Sequence, residues 1–130
     1  MNKTMNILVV DDATSIRLMM DLSLDNAGYQ VSQAGDGEQA LQLAKQQLFD
    51  LVITDINMPN MNGFVLITKL RALPGYEHTP ILTLTTEDSD TKKQQGKKAG
   101  ATGWITKPFS PEKLVTTINR LLGNTVPAGI

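Results

Sequence analysis

The chain reads as a three-layer α/β sandwich, a five-stranded parallel sheet flanked by five helices. Three observations predict it. The short apolar runs Ile7-Leu8-Val9-Val10, Leu51-Val52-Ile53-Thr54 and Ile81-Leu82-Thr83-Leu84-Thr85 suit strands buried on both faces, which need no alternating polar residues. Segments with apolar residues at helical spacing separate them, so strand and helix alternate, as right-handed crossovers between parallel strands require. The 130 residues suffice for one such domain and leave nothing over for a second.

The elements follow in order. After the first strand, Ser15 to Ala27 places Ile16, Met19, Met20 and Leu24 on one helical face, with Gly28 ending the helix. Val31 to Ala34 is a weaker strand. Asp36 can cap a helix whose buried stripe is Ala40, Leu41, Ala44 and Leu48. The third strand runs into a turn-rich loop, Asp55 to Asn62, and Asn62 caps a helix carrying Phe64, Ile67 and Leu70. The fourth strand leads to a very polar helix, Ser89 to Ala99, closed by Gly100. Gly103-Trp104-Ile105-Thr106 is a short fifth strand. Ser110-Pro111 then opens a helix with proline at its first position and Leu114, Val115, Ile118, Leu121 and Leu122 as its apolar positions, ended by Gly123. A domain over 1–124 with a frayed tail over 125–130 is the expected division.

Composition narrows the function. Hydrophobic residues at 41% and charged residues at 19% match a folded globular chain rather than a disordered one. With no cysteine, disulfides, thiolate metal sites and cysteine nucleophiles are excluded, in keeping with a cytoplasmic protein. Neither a signal peptide nor a membrane-length apolar run is expected. A net charge of −1 argues against bulk nucleic-acid binding. It conceals a split, with −5 over residues 1–65 and +4 over residues 66–130, as an acidic site in one half and a basic face in the other would give. Lys92, Lys93, Lys97 and Lys98 form that basic stretch, either a solvated face or a docking surface for acidic partners that speeds encounter.

Open parallel sheets build their sites at the carboxyl ends of the strands. Those ends carry Asp11-Asp12 after the first strand, Asp55 after the third, Thr85-Thr86 after the fourth and Lys107 after the fifth. Each has an ordinary structural use taken singly: the acids cap helices or satisfy turns, the threonine finishes a strand, the lysine is solvated. Their joint occurrence at four strand ends is the signal. If the first and third strands are neighbours, three carboxylates converge, and two of them about 4 Å apart repel by roughly 4 kcal/mol at an effective dielectric near 20. Such a cluster protonates, takes a basic partner or binds a hard cation, and with oxygen donors alone Mg²⁺ is the natural occupant.

The segments Leu8-Val9-Val10-Asp11-Asp12, Thr54-Asp55-Ile56-Asn57-Met58-Pro59-Asn60-Met61-Asn62-Gly63, Leu84-Thr85-Thr86-Glu87 and Gly103-Trp104-Ile105-Thr106-Lys107-Pro108-Phe109 stand in order and at intervals that resemble the receiver domain of two-component response regulators, especially the stand-alone CheY-like chemotaxis regulators. The similarity covers residues 5 to 122. It implies the flavodoxin-like strand order 2-1-3-4-5. It also implies that Asp55 accepts a phosphoryl group, that Asp12, Asp55 and the backbone carbonyl of Asn57 hold Mg²⁺ with Asp11 acting through water, and that Lys107 pairs with a phosphoryl oxygen. Thr85 matches the switch hydroxyl and Trp104 the switch aromatic, where the chemotaxis regulators usually carry tyrosine. Thr86 stands where the family most often has a small residue. Asn57 and Glu87 match positions that tune the hydrolytic water, and the Lys107–Pro108 bond is implied to be cis.

The expected function is therefore a single-domain, monomeric switch phosphorylated by a CheA-like histidine kinase, without an output domain, whose target is the flagellar motor switch. A relay receiver or phosphate sink outside motility is the alternative within the family. Two other classes fit poorly. An aspartyl-phosphate phosphatase needs a second acid two residues after its nucleophile, where Asn57 stands. A flavin-binding module needs a phosphate-cradling loop after the first strand, where Asp11-Asp12 would repel the phosphate.

Overall fold

A computed structural model describes residues 4–86 and 90–123. The expected tail over 125–130, Glu87 and the helix start at Ser89 lie outside the described residues. Strands and helices alternate as β1 (Asn6–Val10), α1 (Thr14–Asn26), β2 (Gln30–Ala34), α2 (Gly37–Gln46), β3 (Leu51–Asp55), α3 (Gly63–Arg71), β4 (Ile81–Thr85), α4 (Asp90–Ala99), β5 (Gly103–Thr106) and α5 (Pro111–Leu121). All strand pairs are parallel, in the order β2-β1-β3-β4-β5. The connection from β1 to β2 runs one way along the sheet and those from β2 onward run the other, so the sheet reverses its winding between β1 and β3, where such sheets bind ligands.

The two-residue period of a strand divides the core in two. Ile7, Val9, Leu51, Ile53, Leu82 and Leu84 face α1 and α5, meeting Met20, Leu24, Leu114 and Ile118. Leu8, Val10, Val52 and Ile81 face the other way, against Ala40 and Ala44 of α2 and Leu66, Ile67 and Leu70 of α3. β3 and β4 are buried throughout. The edge strands β2 and β5 are partly exposed, which is why their sequences read weakly. Side-chain caps form where expected: Asp36 accepts from the Gln39 N–H, Asn62 from the Val65 N–H and Ser110 from the Lys113 N–H. Gly28 and Gly100 close α1 and α4 at φ of +96° and +111°, in the left-handed region that favours glycine.

Three expectations about burial are corrected. Leu48 is 62% exposed, because α2 ends at Gln46 and Gln47 is already extended; the helical period no longer applies, and Phe49 takes the buried place. Met19 is 42% exposed, since α1 turns only Met20 and Leu24 fully inward and the buried stripe is narrower than read. On α3 the half-buried Phe64 is outdone by Leu66, which is buried and was not singled out.

Buried polar side chains tie the layers together. The Tyr76 hydroxyl accepts from the Phe49 N–H at 3.2 Å and lies 3.0 and 2.9 Å from the Ala44 and Gln47 carbonyls to which it donates. Tyr76→Phe would leave that buried N–H without an acceptor. The expected result is a loss of about 1–3 kcal/mol, seen as a lower urea midpoint at unchanged m. Arg71, at the end of α3, donates to the carbonyls of Tyr76, Thr79 and Gly100, joining α3 to the turns before β4 and β5.

Candidate functional site

The carboxyl ends of β1, β3, β4 and β5 converge on one small acidic site. β1 and β3 are neighbours, with Val10 beside Thr54, so Asp11 and Asp55 leave adjacent strands side by side. Asp11 is fully buried and Asp55 is 7% exposed, whereas Asp12 faces solvent. Carboxylate oxygens of the three lie within 4.8 Å of one another. The first turn of α1 fixes Asp11, whose Oδ1 accepts from the Ala13 N–H at 2.9 Å. Asp55 Oδ1 accepts from the Ile56 N–H at 2.8 Å. Ala13 is the cap residue of α1 and makes no side-chain cap, so Asp11 serves the turn before the helix rather than capping it.

Lys107 arrives from the opposite side. Its N–H donates to the Thr85 carbonyl at 2.7 Å, continuing the β4–β5 ladder by one residue, and the following bond to Pro108 is cis. Its Nζ stands 3.2 Å from Asp11 Oδ2 and 3.6 Å from Asp55 Oδ1. The first contact is an ion pair without hydrogen-bond alignment: among the described residues, the buried Asp11 Oδ2 accepts no hydrogen bond. Thr85 is buried at the end of β4, and Thr86 is exposed. Thr86 lines a shallow cleft of about 220 Å³ with Ile16, Met19, Lys107, Pro108 and Phe109.

The electrostatics follow from crowding. Burial, and then the like charge of Asp11, push the Asp55 carboxyl above its ordinary value; Lys107 and the Ile56 N–H pull it part of the way back, and Asp12 adds to the rise. A positive charge bound at this point relieves all three carboxylates. The donors suit a hard divalent cation, since they are all oxygen and Asp11 Oδ2 is a buried acceptor without a hydrogen bond.

The sequence-predicted residues divide into two groups. Asp11, Asp12, Asp55 and Lys107 are brought together, with Thr85 at the adjoining strand end. Asn57 stands exposed in the loop leaving β3, two residues beyond Asp55. Trp104 is set apart: it pairs in register with Thr83 rather than Thr85, is 47% exposed, and carries Lys93 Nζ 4.5 Å from its ring centroid.

Two positioning residues were not singled out. Arg17 Nη1 donates to the Asp11 carbonyl at 2.5 Å and its Nε to Gln33 Oε1 at 3.3 Å, bracing the turn that carries the acidic pair. A legible signal existed, because a basic residue near a helix N-terminus opposes the dipole and calls for another use. Gly63 is the second. Its N–H donates to the Ile56 carbonyl at 2.9 Å, and a side chain there would run into the Asp55 carbonyl oxygen. That close approach has no signature in the sequence beyond the glycine itself.

A family model for the response regulator receiver domain matches residues 7–119. Among solved structures the chain is similar to the chemotaxis protein CheY4 of Vibrio cholerae, at 49% identity and a TM-score of 0.90, covering 92% of this chain and 100% of that one. It is similar to a response regulator protein of Burkholderia multivorans at 46% identity and a TM-score of 0.77, covering 92% and 95%. Among curated proteins it is similar to the transcriptional regulatory protein SrrA of Staphylococcus aureus, at 34% identity over 119 residues, which is 92% of this chain and 48% of SrrA. The chain thus spans about half the length of the curated relatives it matches. Among the described residues, no helix is long and apolar enough to cross a membrane.

Proposed function

Because the chain belongs to the response regulator receiver-domain family of two-component systems, we propose that it accepts a phosphoryl group on Asp55 from a histidine kinase and signals by phosphorylation-dependent protein binding in chemotaxis. One observation carries the reading: a lysine ammonium bridges two buried carboxylates at the switch point of the sheet, with a third carboxylate beside them.

The chemistry follows from those groups. An Asp55 carboxylate oxygen attacks phosphorus opposite the donor nitrogen. The O–P bond forms as the N–P bond of the phosphohistidine breaks, and the imidazole leaves with the bonding pair and takes a proton from solvent. Mg²⁺, held by Asp11, Asp12, Asp55 and the Asn57 carbonyl, would supply charge neutralisation for an anionic nucleophile meeting an anionic donor. Lys107 exchanges a carboxylate partner for a phosphoryl oxygen, a point-charge contact that its ammonium suits. Thr85 donates its hydroxyl to the phosphoryl group, and the vacated space lets Trp104 swing inward, changing the surface formed by α4, β5 and α5.

Chemotaxis is favoured by the similarity to CheY4 along the whole of that chain. The partners are then a CheA-like kinase and a flagellar motor switch protein, met by a monomer in the cytoplasm, with neither nucleic acid nor membrane bound by this domain. The match to SrrA supports a second reading, in which the same receiver serves a pathway outside motility, including relay or phosphate-sink roles.

Intact mass tests the core of the proposal. Incubated with Mg²⁺ and acetyl phosphate, or with a phosphohistidine kinase as donor, the protein is expected to gain one phosphoryl group, and chelation of the metal to abolish the gain. No gain with either donor overturns it. The chemotaxis assignment further requires that the phosphorylated form bind a motor switch protein more tightly than the unmodified form.

A further inference from the structure

α4 is an unusual helix to find packed on a sheet. Its sequence, Asp-Thr-Lys-Lys-Gln-Gln-Gly-Lys-Lys-Ala, offers no large apolar side chain, and Gly96 is its only buried residue. A helix without an apolar stripe gains little by docking. Two lysine–aromatic contacts stand where apolar packing would be: Lys92 Nζ lies 5.8 Å from the centre of the Phe64 ring on α3, and Lys93 Nζ lies 4.5 Å from the centre of the Trp104 ring on β5. Both lysines are half-buried, whereas Lys97 and Lys98 farther along the helix are exposed. The basic stretch is therefore not one uniform solvated face.

Beside Trp104 lies a half-open cleft of about 400 Å³, lined by the small residues Gly96, Ala101 and Gly103 and by the charged Asp90, Lys93 and Lys97. Trp104 stays 47% exposed beside this cleft. Hydrophobic burial alone would draw an indole inward, since an aromatic of this size buries roughly 150–250 Å² when enclosed. The ammonium over the ring's face favours the outward position.

We infer that Lys93 is a positioning residue that latches Trp104 in its outward position through a cation–π contact, adding a tie between α4 and β5 that lasts while the ring faces out. This deepens the proposed switch and rests on that reading of Trp104. An inward swing has to break the contact, which removes this tie between α4 and β5 at the same moment as it changes the ring. Removing the ammonium is expected to shift the outward-to-inward ratio by about two- to five-fold, the range for a partly exposed cation–π pair.

Trp104 is the only tryptophan in the chain, so its fluorescence reads the ring directly. Lys93→Gln, without metal or phosphodonor, is expected to give a blue-shifted emission maximum and weaker acrylamide quenching than the parent. Lys93→Arg, which keeps a cation over the ring, is expected to match the parent. The proposal is overturned if Lys93→Gln has the parent's maximum and quenching, or if Lys93→Arg behaves like Lys93→Gln. Acetyl phosphate with Mg²⁺, followed by mass, separates the two levels. Absence of phosphoryl uptake in the parent sinks the receiver reading, while the spectra of the unmodified proteins still decide the latch.

Discussion

Asp55→Asn is expected to take up no phosphoryl group from acetyl phosphate or a kinase, and yet to unfold at a higher urea concentration than the parent when metal is absent. The first effect is loss of the attacking oxygen: an amide is a poor nucleophile, and the residue is placed at the end of β3 where no other carboxylate takes the same backbone position. Asp11 is fully buried with its Oδ1 committed to the Ala13 N–H, and Asp12 is exposed. The second effect follows from the raised Asp55 carboxyl. Burial and the charge of Asp11 together outweigh the help from Lys107 and the Ile56 N–H, so at neutral pH the ionised group is a net cost to the fold. Asparagine removes the charge and retains an oxygen to accept from the Ile56 N–H. Mass spectrometry and urea unfolding in chelator check the two halves separately. Uptake by the variant would move the phosphoacceptor elsewhere, and a lower midpoint would mean that the ion pair with Lys107 dominates the site.

Gly63→Ala is expected to damage stability and phosphoryl uptake together. A Cβ on Gly63 would collide with the Asp55 carbonyl oxygen and come within 3.0 Å of Ile56 Cα and 3.1 Å of the Asp55 carbonyl carbon. All three are backbone atoms, so no side-chain rotation relieves the clash, and α3 or the end of β3 has to move. Overpacking of this kind costs about 1–3 kcal/mol, occasionally more. Because the displaced atoms belong to the proposed nucleophile itself, the rate of phosphoryl uptake is expected to fall beyond what the lost stability explains. Gly28→Ala is the control. Nothing lies within 4 Å of a Cβ there, but φ is +96°, so alanine is strained by backbone conformation alone. It is expected to lower stability by about 1–2 kcal/mol, seen as a lower urea midpoint at unchanged m, and to leave uptake unchanged. Equal loss of uptake in both variants would show that stability, not site geometry, is being read.

Most of the framework was legible because the relevant signals are local. β1, β3 and β4 are continuous runs rich in leucine and β-branched residues, and their burial on both faces leaves no pattern to misread. Asp36, Asn62 and Ser110 cap the helices they precede, since capping needs only the residue and the three that follow. Leu48 misled for the same reason: its spacing continues the α2 stripe, but the helix ends at Gln46, and what ends it is the approach to β3 rather than a strong local breaker. The basic stretch on α4 was legible as charge and illegible as structure, because whether a lysine is solvated or lies over Phe64 or Trp104 depends on residues from α3 and β5.

The site shows the same division. From the sequence came the identity of its groups: Asp11, Asp12, Asp55, Thr85 and Lys107 each follow a strand, and strand ends are where an open parallel sheet presents side chains. Only the tertiary structure decided that Asp11 is buried while Asp12 is exposed, that Lys107 bridges Asp11 and Asp55, and that Gly63 and Arg17 brace the two loops around them. The reason is physical. Strand and cap formation depend on interactions within a few residues, whereas the burial and the raised carboxyl of Asp55 are set by Asp11 and Lys107, which are far from it in the chain and meet it only when β1, β3 and β5 take their places in one sheet.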